Sequence, residues 1–239
     1  MDQQPPDNNT NRTPPPTPLK PASWTASDTW LGLGLLVIAV LGYIFALSQL
    51  ELSKGISIFV ATFEFIVLIP IAIIFLLRKI SWRELGFQTF SRNSLSLGCG
   101  LLIAVYMVTI VNNLIMRALG VVTQADVISD LLSELDSPYL FAFVTAIVAP
   151  ITEELFFRGF LFKGLRNKYG WVNALMFSSI IFALFHGQIA TLIPTFLLGA
   201  LFAYMYQRTE SVYPGMILHF AINAMGVAVL LAADQMSVL

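Results

Sequence analysis

From Thr29 onward the chain is a series of apolar segments long enough, or nearly long enough, to cross a bilayer, and this restricts the backbone to helix. In hydrocarbon no water is available to backbone N–H and C=O groups, so a spanning segment must satisfy them internally. Roughly 20 helical residues cross the apolar layer. The spans read as Thr29–Leu50, Ile56–Leu77, Leu95–Leu119, Pro138–Leu161, Trp171–His186, Ile189–Tyr206 and Tyr213–Ala233. They predict an all-α, polytopic integral membrane bundle of seven transmembrane helices, or eight with one more crossing. The fifth and sixth spans are short and separated by little more than Gly187 and Gln188, which predicts a tight hairpin with Pro194 bending its second helix. Charged residues are 11% of the chain and mean hydropathy is +0.78. A soluble domain carries about a quarter charged residues.

Residues 1–28 are of different material. Pro5, Pro6, Pro14, Pro15, Pro16, Pro18 and Pro21, interspersed with Gln, Asn and Thr, cannot build a packed core and predict a disordered, Pro-rich cytoplasmic tail, leaving residues 29–239 as the transmembrane domain. With the N-terminus cytoplasmic, ten basic residues, among them Lys20, Arg78, Arg83, Lys163, Arg166 and Arg208, fall on the cytoplasmic side. Lys54 and Arg117 alone fall opposite, beside an acidic loop with Asp126, Asp130, Glu134 and Asp136. That asymmetry obeys the positive-inside rule. A net charge of −1 supplies no basic footprint for nucleic acid. The single cysteine, Cys99, reads as a small buried apolar residue and excludes thiolate clusters and disulfide frameworks.

The thirteenth basic residue, Arg158, lies inside a span, as do Glu153 and Glu154. The only histidines, His186 and His219, also occupy apolar segments. A charge in hydrocarbon costs on the order of a few kcal/mol, so such residues are read as functional by default. Arg158 follows Glu154 by four residues and shares its helical face, whereas Glu153 points about 100° away and lacks a local partner. His219 and Asn223 stand one turn apart and both donate hydrogen bonds suited to an oxyanion. A carboxylate base, two imidazoles and an amide are the groups needed to hydrolyse an amide with activated water. No serine or cysteine is placed as a nucleophile; Ser178 and Ser179 read as bonding back to their own helix. Glu64 either lines the cavity or pairs with Arg117 or another polar neighbour. Asn112 and Asn113 read as interhelical hydrogen-bonding residues.

Three motifs, Glu153-Glu154-Leu155-Phe156-Phe157-Arg158, Phe182-Ala183-Leu184-Phe185-His186 and His219-Phe220-Ala221-Ile222-Asn223, occur in this order on apolar segments. They resemble those of the CAAX-protease and bacteriocin-processing (CPBP, or Abi) family of intramembrane proteases, with Trp82-Arg83-Glu84-Leu85-Gly86-Phe87 a weaker echo. The resemblance implies an active site in a membrane-embedded cavity. Glu153 would activate the water with help from His186, His219 and Asn223 would hold the oxyanion, and Glu154 and Arg158 would shape the site. It implies no cofactor, and as partners a membrane-associated peptide or lipidated protein, prenylated CaaX or bacteriocin-like, within the bilayer. The eukaryotic members usually have eight crossings.

Three other readings fit the same residues. Glu153, His186 and His219 could hold zinc with an open position for water, although His186 and His219 lie on different helices. The chain could be a non-catalytic membrane binding or immunity protein on the same scaffold. It could also be a small transporter with a proton path through Glu64, Glu153 and Arg158, although no internal repeat is visible.

Overall fold

The computed structural model describes residues 19–49, 56–135 and 137–237. All regular structure among them is helical: α1 (Ala26–Ser48), α2 (Ile56–Ile66), α3 (Ile69–Arg78), α4 (Arg92–Ala118), α5 (Gln124–Glu134), α6 (Pro138–Phe185), α7 (Leu192–Thr209) and α8 (Tyr213–Ser237). Six helices are long and apolar enough to cross a membrane, with Ala61–Arg78 counted as one. The chain is a polytopic helical membrane bundle. Apolar side chains such as Ile38, Phe45, Leu76 and Ile103 face outward, as a lipid solvent requires.

The fourth and fifth expected spans adjoin without a loop as two helical arms of one stretch, and the second arm starts at Trp171 as expected. α6 runs for 48 residues and breaks at Gly170, where φ is 78° and ψ 163°, a left-handed φ that glycine adopts readily. It does not pause near Leu161, because Phe160, Leu161, Phe162 and Leu165 are all fully buried and keep the helix packed past that point. The hairpin forms as expected, through Gly187 and a single turn at Ile189–Thr191. Pro194 does not bend its helix, however. It is the third residue of α7, where its missing N–H would lack an intrahelical acceptor in any case.

The first arm of α6 is the axis of the bundle. Phe156 and Phe160 pack with Phe75 and Trp24, and Trp24 stacks on Phe160 at 5.6 Å. Residues 1–18 of the expected tail lie outside the described residues, as do Lys54 and Asp136. Residues 19–28 depart from that expectation, for they dock on the bundle. Thr25 caps α1 in a reciprocal box with Asp28, Asp28 accepts two hydrogen bonds from Arg78, and Trp24 is buried. Aromatic burial and paired charge offset the ordering that proline content alone would oppose. Cys99 also differs, being exposed on the outer side of α4.

The Trp82–Leu85 turn plugs one end of the bundle. Leu85 is fully buried, its carbonyl accepts from Tyr206 Oη at 3.1 Å, and a Cβ on Gly159 would lie 2.8 Å from that same carbonyl oxygen. Around the plug, Lys20 pairs with Glu84 at 2.8 Å, Lys163 Nζ donates to the Glu84 carbonyl at 2.6 Å, and Arg166 bridges Glu210 and the Lys20 carbonyl. Lys20, Lys163 and Arg166, three of the basic residues expected on one side, thus meet at one end of the molecule.

Burial acts to raise the pKa of Glu84. The Lys20 hydrogen bond and the Lys163 and Lys20 charges outweigh it and hold the carboxyl below its ordinary range. A depressed folded-state pKa stabilises above the unfolded value and is lost as pH falls through the folded one. Removing the carboxyl with Glu84→Gln is therefore expected to lower stability at neutral pH and flatten its decline on acidification. Unfolding in detergent across the acid range measures this, and parallel curves for the two proteins would contradict it.

Candidate active site

The candidate site grows out of an irregular stretch of α6. In an ordinary helix the Pro150 ring would clash with the carbonyl four residues earlier, at Ala146. The turn Val144–Val148 is widened to the π spacing, and the Ala149 N–H reaches back five residues to Val144 O. Thr145 O is then left without a helical donor, since Ala149 N–H is taken and Pro150 has none. Asn223 of α8 supplies one, Nδ2 donating to Thr145 O at 2.9 Å. A second wide turn spans Leu155–Phe162, so Glu153 and Glu154 end a short regular piece, Ala149–Glu154, between two widened ones.

The expected pairing of Glu154 with Arg158 is present and fully buried, at 2.8 Å. Glu154 Oε1 also lies 3.3 Å from His219 Nδ1. A carboxylate only accepts, so Nδ1 carries the hydrogen. Arg158 donates its second amino group to Gly199 O at 3.4 Å, and its guanidinium lies 4.3 Å from the Phe182 ring centroid and 5.1 Å from that of Phe202. His219 stacks on Phe202 at 5.1 Å. Gly215 admits Glu154, because a Cβ there would overlap Oε2. Gly199 likewise lets α7 approach the second arm of α6, its virtual Cβ lying 3.0 Å from Ser179 Cα.

Glu153 points away from the ion pair, as its position in the helix implies. Its Oε2 is buried, has no hydrogen-bond partner among the described residues, and lies 3.9 Å from His219 Nε2. His186 caps the second arm of α6 and donates from Nδ1 to Phe182 O at 2.8 Å, which leaves Nε2 as its free acceptor. It makes no ion pair with Glu153. His186, His219 and Asn223 line one cavity of about 290 Å³, completed by α4, α5 and α7. The structure thus joins Glu153, Glu154, Arg158 and His219 directly, and brings His186 and Asn223 to the same cavity.

Residues 135–225 match the family of Rce1-like type II CAAX prenyl endopeptidases. The chain is 27% identical over 124 residues to a Bacillus subtilis protein named "Putative membrane peptidase YdiL", and 31% identical over 123 residues to the UPF0177 protein YxdF of Lactococcus lactis. These matches bear out the resemblance of residues 135–225 to the CPBP family. The matches cover about half of this chain, 51% of YdiL and 66% of YxdF. No solved structure matches it significantly. The matched segment, residues 135–225, starts just before α6 and contains all three motifs.

Glu64 meets a polar neighbour rather than Arg117, which pairs with Asp126. It accepts from Thr152 Oγ1 at 3.2 Å and is an electrostatic neighbour of Glu153. Thr152, Gly215, Phe202 and the Pro150–Thr145 device carry no local sequence signal, since each matters only through a residue distant in the chain. Ser178 and Ser179 bond back to Leu175 O. Among the described residues no group of three or more His, Cys, Asp or Glu side chains is gathered closely enough to hold a metal ion.

Replacing Glu154 by Gln leaves Arg158 charged, buried and unpaired. Removing one partner of such a pair costs roughly 3–5 kcal/mol. Glu154→Gln is therefore expected to unfold far more readily in detergent than Glu153→Gln, whose only ion-pair neighbour, His219 at 3.9 Å, keeps its contact with Glu154. Equal denaturation midpoints for the two variants would contradict this.

Proposed function

We propose that this chain is an intramembrane endopeptidase in which Glu153 and His186 activate a water against a peptide bond, without a metal. The observation that carries the reading is a cavity inside an apolar bundle lined by His186, His219 and Asn223, with the Glu153 carboxylate 3.9 Å from His219 Nε2. Glu153 takes a proton from water, and the hydroxide adds to the scissile carbonyl. His186, oriented by its Phe182 bond, presents Nε2 to the same water. The oxyanion is held by His219 Nε2–H and by the Asn223 amide hydrogen not used on Thr145. Glu153 then returns its proton to the leaving nitrogen as the C–N bond breaks, giving a carboxylic acid and an amine, and the acid's proton passes to the amine to leave a carboxylate and an ammonium. With His219 cationic, Glu153, Glu154, Arg158 and His219 carry two charges of each sign, which suits a low-dielectric site.

The substrate is a membrane-associated peptide or lipidated protein, of the prenylated CaaX or bacteriocin-like kind. The N-terminus is cytoplasmic, an orientation supported by the basic cluster around Lys20, Lys163 and Arg166. Nucleic acid has no part in the reaction.

The test is cleavage of a quenched fluorescent peptide library by the purified protein in detergent. Loss of a general base costs about 10²–10⁴-fold, and loss of an oxyanion donor about 10²–10³-fold. Glu153→Gln and His186→Ala are expected to fall by the first factor and Asn223→Leu by the second, all folded, with wild-type cleavage surviving a strong chelator. Chelator-abolished cleavage would return the zinc reading. A folded wild type that cleaves nothing would favour a binding or immunity role, and substrate-driven proton flux a transporter.

A further inference from the structure

Beyond the reactive set, the cavity is lined by polar side chains of two kinds. Thr109, Thr191 and Thr195 donate their hydroxyls to backbone carbonyls at Val105, Gln188 and Thr191. Tyr106 and Asn113 differ. Both are half-buried on α4 and line the cavity, and among the described residues their side chains, like those of Thr145 and Gln124 in the same lining, make no hydrogen bond; the two on α4 are set apart by sharing one helix face. Adjacent Asn112 shows the contrast, for it is buried and donates to Ala190 O at 2.7 Å, as an interhelical residue should. Asn113 does not follow the interhelical expectation. A hydroxyl and an amide at the cavity wall without protein partners keep their hydrogen-bonding capacity for what enters the cavity.

Seven residues separate Tyr106 from Asn113, two helical turns, which puts them on one face about 10.5 Å apart at 1.5 Å per residue. An extended peptide rises about 3.3 Å per residue, so that distance corresponds to about three residues. A helical substrate would offer this wall nothing, because its backbone groups already bond internally. An unwound segment exposes N–H and C=O groups that in a membrane must find protein partners. Tyr and Asn side chains both donate and accept, so either backbone group is met.

Resting on the endopeptidase reading, we propose that Tyr106 and Asn113 form a substrate-backbone subsite that holds about three residues of peptide in extended form across the cavity from the reactive set. Recognition there is of the peptide backbone, not of a side chain. The site therefore takes unwound segments of varied apolar sequence and rejects segments that stay helical.

The experiment uses the full-length protein in detergent with the best-cleaved quenched peptide of the library. Asn113→Leu and Tyr106→Phe are each expected to raise KM about tenfold, the worth of one hydrogen bond, with kcat within a few-fold of wild type. Esters replacing single substrate amides, away from the scissile bond, are the discriminating probe. In wild type one such ester should raise KM, and in Asn113→Leu that same ester should add no further loss. A purely structural role would give no position-specific loss of this kind. Unchanged KM in both variants, or ester effects that simply add, would overturn the subsite while leaving the hydrolase intact. If wild type cleaves nothing, anisotropy of the labelled peptide decides: binding lost in Asn113→Leu supports the subsite without the hydrolase, and equal or absent binding overturns it.

Discussion

The buried Glu154–Arg158 pair is the interaction on which the rest of the site depends. Bringing two charges out of water is repaid only when geometry is good and the remaining donors find acceptors. Here that condition recruits three helices. α6 supplies both charges, α7 gives the Gly199 carbonyl and the Phe202 ring, and α8 sends His219 to the same carboxylate oxygen. Sliding any of these helices by a turn would leave a charge unpaired in an apolar interior, so the pair sets their register. In lipid, where apolar side chains gain little by leaving their surroundings, such polar contacts and close aromatic packing carry the association.

A second constraint is proline chemistry within α6. Pro150 forces a wide turn, the wide turn frees a carbonyl, and that carbonyl anchors Asn223. The amide keeps one hydrogen for chemistry while the other fixes its position. His186 and His219 are treated alike, each with Nδ1 committed to an acceptor. Polar groups at this site thus come half-used, one atom tied to the scaffold and one left at the cavity. Glu153 is the exception, its buried Oε2 being tied to nothing, and that suits a group that must exchange a proton. Glu64, reached through Thr152, adds a further carboxyl to the same interior.

The two ends of the bundle divide along charge. The plug of Trp82–Leu85 with Lys20, Lys163, Arg166 and Glu210 closes one end with hydrogen bonds, while α5 and α4 complete the cavity lining near the other. Tyr106 and Asn113 belong to this second region, and their unmet hydrogen-bonding capacity complements the proton-transfer groups at the cavity.

Much of this protein was legible without coordinates, for reasons that can be stated. Membrane helices announce themselves because lipid demands continuous apolar runs with internal hydrogen bonding. Glu154 and Arg158 could be paired because a four-residue spacing on a helix is a local fact. Glu153, His186, His219 and Asn223 stood out because polar groups in apolar segments are rare and costly. The docking of residues 19–28 was hidden, since it rests on Trp24 meeting Phe160 and on Asp28 meeting Arg78, contacts between segments far apart in sequence. The same holds for Asn112 and Asn113, neighbours alike in composition, of which one bonds Ala190 and the other faces the cavity. What a residue must bury is written in its own chemistry and its near neighbours; what it meets when buried depends on the path of the whole chain, and only the tertiary structure decides that.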